Sequence, residues 1–292
     1  MRKSREVLAF LAPSLVCLAL VNFYPLVFGV WISFYRRPLF SAQFVFAGLR
    51  NYSRILQDPT FYVAFWNTIL FTIGTVVGSY VIGLVLALLL NGKILFRGFF
   101  RSAILLPWVM PSIVVAYTWG YIYHDLFGIL NYLLTSVGIT KKPILWLANP
   151  KIVLWSLTIV NIWKAYPYMM TVLLAGLQSI PSSLYEAAAI DGASSWQQFT
   201  RITLPLLKPL TLVSTMYMFI WTFNYFDLVY LMTGGGPGHA SHVLATYAYE
   251  QAFAVGDYGR ASAVAVIMLI VLYILITLYI RSYRGVEADS VA

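Results

Sequence analysis

Polar side chains recur at helical spacing within two otherwise apolar segments of the chain. Asn161, Lys164 and Tyr168 stand at i, i+3 and i+7, which places them on one face of a helix. A later apolar segment carries a second set, comprising Thr222, Asn224, Tyr225 and Asp227. Aromatic rings with amide and hydroxyl groups suit a sugar ligand, because the rings stack on its faces while the polar groups bond its hydroxyls. These side chains are therefore predicted to bind a small molecule.

Other roles remain open for the same side chains. Lys164 and Asp227 can neutralise each other across a helix pair instead of contacting a ligand. The remaining polar residues can hydrogen-bond to neighbouring helices. Trp155, Trp163 and Trp221 are more typical of packing or interface anchors than of ligand platforms.

No catalytic or metal site is predicted. His239 and His242 are three residues apart in a loop, but no third ligand accompanies them, and the three histidines of the chain are scattered. The glycine run Gly234–Gly236 is followed by Pro237 and no lysine, so it does not have the pattern of a nucleotide-binding loop. Cys17 is the single cysteine and has no disulfide partner within the chain.

The composition indicates an integral membrane protein. Of 292 residues, 61% are hydrophobic and only 10% are charged, with a net charge of +9. An average soluble domain has about 25% charged residues. So few charges cannot cover the surface of a soluble domain of this size. The soluble, disordered and disulfide-scaffold classes are therefore excluded.

Six stretches are long enough to cross a membrane as helices, which requires about 20 mostly apolar residues. They run approximately over Val7–Phe34, Val63–Leu90, Ser102–Tyr123, Ile152–Leu177, Leu206–Leu231 and Ala261–Ile280. The first is too long for the apolar region of a signal peptide and no cleavage site follows it, so its retention is predicted. Phe40–Phe46 is too short to span and is predicted to be a loop or surface segment. Gly74, Gly78 and Gly83 predict the close approach of another helix.

The basic residues orient these spans only weakly. With six crossings both ends of the chain lie on one side, which then holds ten basic residues against eight on the other, with Lys164 inside the membrane. The N-terminal cluster of Arg2, Lys3 and Arg5 favours both termini in the cytoplasm.

The connection between the predicted fourth and fifth helices consists of two helical segments joined at a glycine. Pro181 precedes the predicted start, with the spacing of a capping box from Ser183 to Glu186. An alanine-rich stretch follows, and Gly192 is expected to end or bend the helix. A second short helical turn is predicted to end near Pro205. Such a small, alanine-rich face fits the groove of a partner protein.

This connection resembles the EAA loop of binding-protein-dependent ABC transporter permeases. The family pattern is E-A-A, three residues, G, nine residues and I-x-L-P, and it is matched here by Glu186-Ala187-Ala188, Gly192, Ile202 and Leu204-Pro205. Other segments resemble carbohydrate-uptake permeases, and the last two of them resemble the larger subunit of the permease pair. They are Asn51-Tyr52, Asp58–Phe61 with Asn67-Thr68, the T-x-G-G-P turn at Thr233–Pro237, and Tyr258–Ala263.

The resemblance spans about Asn51–Ile280 and implies an all-α membrane protein. Its expected architecture is the type I ABC importer permease fold, with six transmembrane helices and a cytoplasmic coupling helix. The expected organisation is an N-terminal helix and external loop at 1–62, a core permease domain at 63–282 and a cytoplasmic tail at 283–292. The core domain contains the EAA loop at 181–209.

In such permeases the EAA helix sits in a cleft of an ATPase subunit, and closure of two ATPase subunits on ATP rocks the membrane bundle between inward-open and outward-open states. The residues that the resemblance assigns to this coupling are Glu186, Ala187, Ala188, Asp191, Gly192 and Arg201. Glu186 would bond within the cleft, the alanines keep the face thin and Gly192 permits the turn. Asp191 would cap the second short helix, and Arg201 would pair with acidic groups.

The resemblance also implies partners. They are a second, different permease subunit, two ATPase subunits that use ATP and Mg, an extracytoplasmic substrate-binding protein and the lipid bilayer, with no nucleic acid and no cofactor on this chain. The chain itself is expected not to be an enzyme. A mono- or oligosaccharide is the expected substrate, and Lys164 would favour the alternative, glycerol-3-phosphate or a related phosphodiester.

Two further classes compete with this interpretation. A secondary transporter without an ATPase predicts inverted repeats, and none is evident in the sequence. A membrane enzyme predicts clustered catalytic residues at one bilayer face, which the scattered histidines do not provide.

Overall fold

A computed structural model describes residues 2–36, 43–92 and 94–291 of the chain. Within these ranges the chain is helical apart from short connections and one antiparallel pair of two-residue strands. The helices are α1 (Arg2–Leu18), α2 (Tyr24–Ser33), α3 (Arg50–Leu56), α4 (Pro59–Asn91), α5 (Arg97–Val109), α6 (Ser112–Ile122), α7 (Ile129–Ser136), α8 (Val153–Ser179), α9 (Ser182–Ile190), α10 (Ser195–Gln198), α11 (Leu204–Phe223), α12 (Asp227–Thr233), α13 (Leu244–Phe253) and α14 (Tyr258–Val291). The strands are β1 (Tyr35–Arg36) and β2 (Val45–Phe46), and π-helical turns cover Ala19–Phe23 and Phe199–Thr203.

Each of the six predicted spans corresponds to helical structure. Four continuous stretches within the described ranges are long and apolar enough to cross a membrane, namely Phe10–Ser33, Pro59–Asn91, Ser195–Phe223 and Tyr258–Arg281. The bent pair α5 and α6 forms another when taken together. The predicted fourth span corresponds to α8, whose 27 residues reach about 40 Å at the rise of an α-helix. Polar residues such as Asn161 and Lys164 make α8 less apolar than the others.

The third predicted span is sharply bent. Its two halves, α5 and α6, meet at an angle of 94°. The bend lies at Met110, which has an extended conformation (φ −63°, ψ 133°) before Pro111. Proline has no amide hydrogen and disfavours helical geometry in the preceding residue, so one helix ends and another begins here. The prediction of a single helix over Ser102–Tyr123 is wrong at this point.

The fifth predicted span is shorter than the sequence suggests. The apolar pattern predicts one helix over Leu206–Leu231, but α11 ends at Phe223 and α12 begins at Asp227. The side-chain amide of Asn224 donates to the carbonyl of Ile220 at 2.9 Å, and the chain turns before Asp227 opens the next helix. Asn and Asp favour helix ends because their side chains satisfy nearby backbone groups.

The chain packs as two compact units. The first comprises Met1–Tyr62 and Leu244–Arg281, and the second Val63–Val243 with Ser282–Ala292. In the first unit, β1 pairs with β2, with Tyr35 opposite Phe46. Asn51 is buried and donates to the carbonyls of Ser33 and Tyr35 at 2.8 and 2.9 Å. Within the segment Phe40–Phe46, β2 lies on the surface as expected, and residues 40–42 lie outside the described ranges.

A carboxylate organises the other part of the first unit. Asp58 caps the start of α4 by accepting the amide hydrogen of Thr60 at 2.9 Å. It also accepts the hydroxyl hydrogen of Tyr247 at 2.7 Å and forms an ion pair with Arg260 at 3.6 Å. Burial opposes ionisation of Asp58, but the hydrogen bonds and the guanidinium outweigh it, so the pKa of this carboxyl is lowered.

In the second unit, α8 is the central helix. Met169, Met170, Leu173 and Leu174 are fully buried in a core that also includes Ala87. The predicted close approach at the glycines of α4 is confirmed, because a Cβ atom added at Gly83 would lie 2.8 Å from the backbone nitrogen of Met170. Any larger residue at this position would push α4 away from α8.

Candidate functional site

A cavity of about 150 Å³ opens inside the second unit, bordered by α8 and by helices on either side of it. Six of the seven predicted ligand-binding residues line it, which are Asn161, Lys164, Tyr168, Thr222, Tyr225 and Asp227. Trp108, Ser112, Ala165, Met218 and Trp221 complete the wall. The structure therefore brings together two sets of side chains that are some 60 residues apart in sequence.

The break between α5 and α6 supplies one wall of this cavity. Pro111 interrupts the helical hydrogen bonds there, and the Lys164 ammonium donates to the free carbonyl of Met110 at 2.7 Å. Within the described part of the chain, no ion pair joins Lys164 to Asp227, although both line the cavity. The Asp227 carboxylate still acts on the Lys164 ammonium through its charge, so partial neutralisation between the two residues remains an alternative to ligand contact.

Asn161 lines the cavity and also forms a hydrogen bond to a neighbouring helix. Its side chain is 3% exposed, and its amide donates to the Thr75 hydroxyl on α4 at 3.2 Å. This is the helix–helix hydrogen bond that the sequence leaves open as an alternative role. It fixes the orientation of the amide and leaves the other side of the group at the cavity surface.

The hydroxyl of Tyr225 is buried, and the Ser112 side chain is close enough to interact with it, but within the described ranges no hydrogen bond of good geometry forms. A buried hydroxyl without a partner costs free energy unless a ligand or water satisfies it. The ring is fixed by stacking on Phe71, with centroids 6.3 Å apart. Tyr225 is accordingly positioned to donate to a ligand in the cavity.

Aromatic rings form a continuous row along the cavity. Tyr168 lies 6.1 Å from Trp108 and 5.7 Å from Tyr217, measured between ring centroids. Tyr217 in turn lies 6.0 Å from Trp221. Trp221, expected from sequence to be an anchor, borders the cavity and is half exposed, whereas Trp163 packs against Trp119 at 5.6 Å. Tilted and edge-to-face rings of this kind offer apolar aromatic surface on which a ring-shaped ligand can pack.

Asn224 borders a second, adjoining cavity of about 470 Å³. This cavity shares Trp221, Tyr225 and Asp227 with the first. Each of the seven predicted ligand-binding residues therefore lines at least one of two cavities that share part of their wall. The sequence analysis did not predict that Trp108, Ser112 and Met218 line the cavity. For Trp108 and Ser112 the local signal was Pro111, which lies between them and breaks the helix.

The segment that follows α8, which begins with α9, is largely exposed. A surface that docks onto a partner protein must be exposed in this way. In α9, Glu186 and Ala187 are exposed and Ala188 is half-buried, while Ile190 is 87% exposed despite its apolar side chain. Gly192 ends the turn after α9 with φ +79°, a conformation that only glycine adopts without strain, as predicted.

Two local predictions for this segment are wrong. The capping box lies at Ser194 and Gln197, whose side chains each bond the backbone amide of the other, and not at Ser183 and Glu186. Ser194 therefore caps the second helix, and Asp191 instead ends α9. Ser182 and Ser183 are already helical, because the extended Pro181 precedes α9 directly.

The second helix also continues beyond Pro205. From α10 the chain passes through the π-helical turn Phe199–Thr203 into α11, so that the second helix of the segment and the fifth span form one continuous helical stretch of 29 residues. Pro205 lies inside this continuous helical stretch, where it lacks the amide hydrogen for a helical bond, and the π-helical turn directly precedes it. Arg201, on the π-helical turn, is exposed.

Comparison with known proteins identifies the family. Residues 79–288 match the family described as the binding-protein-dependent transport system inner membrane component. The chain is 37% identical over 260 residues to the trehalose/maltose transport system permease protein MalF of Thermococcus litoralis, covering 89% of this chain and 87% of that one. It is 37% identical over 277 residues to the sulfoquinovosyl glycerol transport system permease protein SmoG of Agrobacterium fabrum, covering 94% and 89%.

A solved structure confirms the fold. A chain of the bacterial alginate ABC transporter, solved in complex with an alginate pentasaccharide-bound periplasmic protein, superposes with a TM-score of 0.84 at 22% identity, covering 98% of this chain and 96% of that one. The all-α class and the type I ABC importer permease fold expected from the sequence are thereby confirmed. The chain belongs to the family of inner membrane components of binding-protein-dependent transport systems.

Proposed function

We propose that the chain is the membrane-spanning permease subunit of an ATP-driven ABC importer, which moves a mono- or oligosaccharide across the cytoplasmic membrane by alternating access. One observation carries the proposal. The helices that line the cavity, α8 and α11, are the same helices that flank the coupling segment, with only Ile180 and Pro181 between α8 and α9. A displacement of α9 therefore reaches both walls of the cavity, α8 through two residues and α11 through α10 and the π-helical turn.

The chemistry of the cavity supports a sugar. Its wall combines a row of aromatic faces with the hydroxyl of Tyr225, the hydroxyl of Thr222 and the amide of Asn161. The names of the relatives agree, since they mention trehalose and maltose, sulfoquinovosyl glycerol, and alginate. Stacking on the sugar ring with directional bonds to its hydroxyls is the recognition mode that such a wall offers.

The energy would come from other polypeptides. In the proposed importer two ATPase subunits hydrolyse ATP with Mg, and each receives a coupling helix from one of two different permease subunits. Glu186, Ala187, Ala188 and Gly192 would form the contact on this chain, with Arg201 beside it. An extracytoplasmic binding protein would deliver the sugar, and both termini would lie in the cytoplasm.

A phosphate-bearing substrate is the alternative, which the names of the relatives do not favour. The Lys164 ammonium lines the cavity without a direct carboxylate partner in the described ranges. A glycerol-3-phosphate or related phosphodiester group would satisfy this charge. The test is the variant Lys164→Met in the full importer. Equal loss of neutral and phosphorylated ligands supports a structural role through Met110, and selective loss of phosphorylated ligands supports the alternative.

The main test is ATP-dependent uptake in proteoliposomes containing the whole importer. Candidate sugars are first ranked by how far the loaded binding protein stimulates ATP hydrolysis. Deletion of 186–192 should then abolish ATPase recruitment and uptake while the chain still inserts in the membrane. Uptake that continues without recruited ATPase subunits would contradict the proposal and favour a secondary transporter.

A further inference from the structure

The exposed face of α7 is apolar, whereas the exposed face of a helix in water is normally polar. Ile129, Tyr132, Leu133 and Val137 are exposed by 53, 67, 50 and 73%. They stand at i, i+3, i+4 and i+8, which defines one stripe along the helix, called here the α7 stripe. Such a contiguous exposed apolar surface marks contact with a membrane or another protein.

A buried polar residue fixes the direction in which the α7 stripe points. Asn131, on the opposite side of α7, is 4% exposed. Its amide donates to the carbonyl of Ile144 at 3.0 Å, while its oxygen accepts the amide hydrogen of Ile144 and the indole hydrogen of Trp146, both at 3.0 Å. Turning the α7 stripe inward would break all three bonds, so α7 is held with its apolar side outward.

The position of α7 in the chain places it at the end of two membrane-spanning segments. It lies in the connection from α6 to α8, at the end of α8 remote from the coupling segment. Tyr123, just after α6, donates its hydroxyl to the carbonyl of Ser156 in the first turn of α8 at 3.2 Å. Only the residues from His124 to Gly128 separate Tyr123, which forms this hydrogen bond, from α7. Two of these residues, Leu126 and Phe127, are exposed by 88 and 62%.

We propose that α7 lies in the membrane–water interface, with the α7 stripe inserted among lipid chains and with Lys141 and Lys142 at the lipid phosphates. The two lysines are exposed and follow shortly after Val137, the last residue of the stripe. Long cationic side chains reach the headgroups while their stems stay on apolar surface. An apolar helix face with adjacent basic residues binds lipid interfaces in this way. The proposal depends on the chain spanning a membrane and not on the identity of its substrate.

The test measures depth in the membrane with a fluorophore. In the full chain, the single cysteine is removed by Cys17→Ser, and Tyr132→Cys is labelled with an environment-sensitive dye. The labelled chain is reconstituted in vesicles of phosphatidylcholine and phosphatidylglycerol, alone and within the assembled importer. Quenching by spin-labelled lipids is compared with quenching by iodide in water. The control is Ile190→Cys in α9, a still more exposed apolar position on the predicted coupling surface.

In the chain reconstituted alone, where no ATPase subunit covers α9, we expect shallow spin-labelled lipids to quench the dye at position 132 several-fold more strongly than at position 190, and iodide to do the opposite. Strong quenching by iodide at position 132 would show that the stripe faces water and overturn the proposal. Protection from both quenchers in the assembled importer would overturn it in favour of a protein partner. In the double variant Lys141→Gln and Lys142→Gln, the lipid quenching should lose its dependence on phosphatidylglycerol, and a retained dependence would contradict the role of these lysines.

Discussion

The hydroxyl of Tyr185 lies 2.9 Å from the hydroxyl of Thr203, and this hydrogen bond joins the coupling helix to the start of the fifth membrane helix. Tyr185 stands directly before Glu186 in α9, and Thr203 is 4% exposed at the end of the π-helical turn that leads into α11. Most other side chains of α9 are exposed. A displacement of α9 therefore reaches α11 through this bond in addition to the connecting chain.

Removal of the Tyr185 hydroxyl should loosen this linkage without unfolding the protein. Tyr185→Phe keeps the ring and loses one hydrogen bond, which contributes about 1 kcal/mol in a typical protein. We expect ATP hydrolysis to continue in the assembled importer while the amount of substrate taken up per ATP falls several-fold. Thr203→Val should have the same effect. Tyr62→Phe, which removes a hydroxyl bonded to the Leu56 carbonyl, is the control, and an unchanged uptake per ATP in Tyr185→Phe would disprove the linkage.

The turn at Gly192 offers a second test of the coupling segment. Gly192→Ala places a Cβ in the left-handed region (φ +79°), at a cost of roughly 1–2 kcal/mol. Because no atom would obstruct the new Cβ, the effect should come from the backbone alone. We expect weaker binding of the ATPase subunit in copurification. Gly98→Ala, also in open space but with negative φ, should be neutral, and equal loss in both variants would argue against a special role for the turn.

Substitution of Tyr225 can separate an effect on ligand binding from an effect on folding. Tyr225→Phe removes a buried hydroxyl that has no hydrogen bond of good geometry in the described ranges, so thermal stability should change little. Uptake should weaken by roughly tenfold at low substrate, since a lost hydrogen bond of about 1.4 kcal/mol changes affinity by that factor. The contrast is Tyr123→Phe, which loses the bond to Ser156 and should lower the unfolding temperature. Unimpaired uptake in Tyr225→Phe would remove this residue from the binding site.

The Asp58 cluster makes the stability of the first unit depend on pH. The pKa of Asp58 is lowered in the folded chain, so its contribution to stability is present above the ordinary carboxyl pKa and is lost as the pH falls through the lowered value. Asp58→Asn should lower the unfolding temperature at neutral pH. It should also make the unfolding temperature fall less as the pH is lowered. Thermal unfolding in detergent, followed across acid pH, measures both. An identical acid decline in the variant would show that another group is responsible.

The local chemistry of the sequence determined much of this protein. Runs of apolar residues fix the spans because a backbone in lipid must be helical and covered by apolar side chains. Gly192 fixes the end of α9 because the left-handed conformation there needs no tertiary contact to favour glycine. The match of Glu186, Ala187 and Ala188 to the EAA pattern indicates the family by residue type and spacing alone, and the family match over residues 79–288 confirms it.

Other features depend on which groups meet in space. The capping box formed at Ser194 and not at Ser183, since α9 begins directly after Pro181 and leaves Ser183 inside the helix. The bond from Lys164 to Met110 joins residues 54 positions apart, and its acceptor is free only because Pro111 breaks the helix. The places of Trp108 and Ser112 in the cavity wall follow from the same break. Periodicity assigns a residue to a face of its own helix, but only tertiary packing decides which other helix that face meets and where a polar group remains available to a ligand.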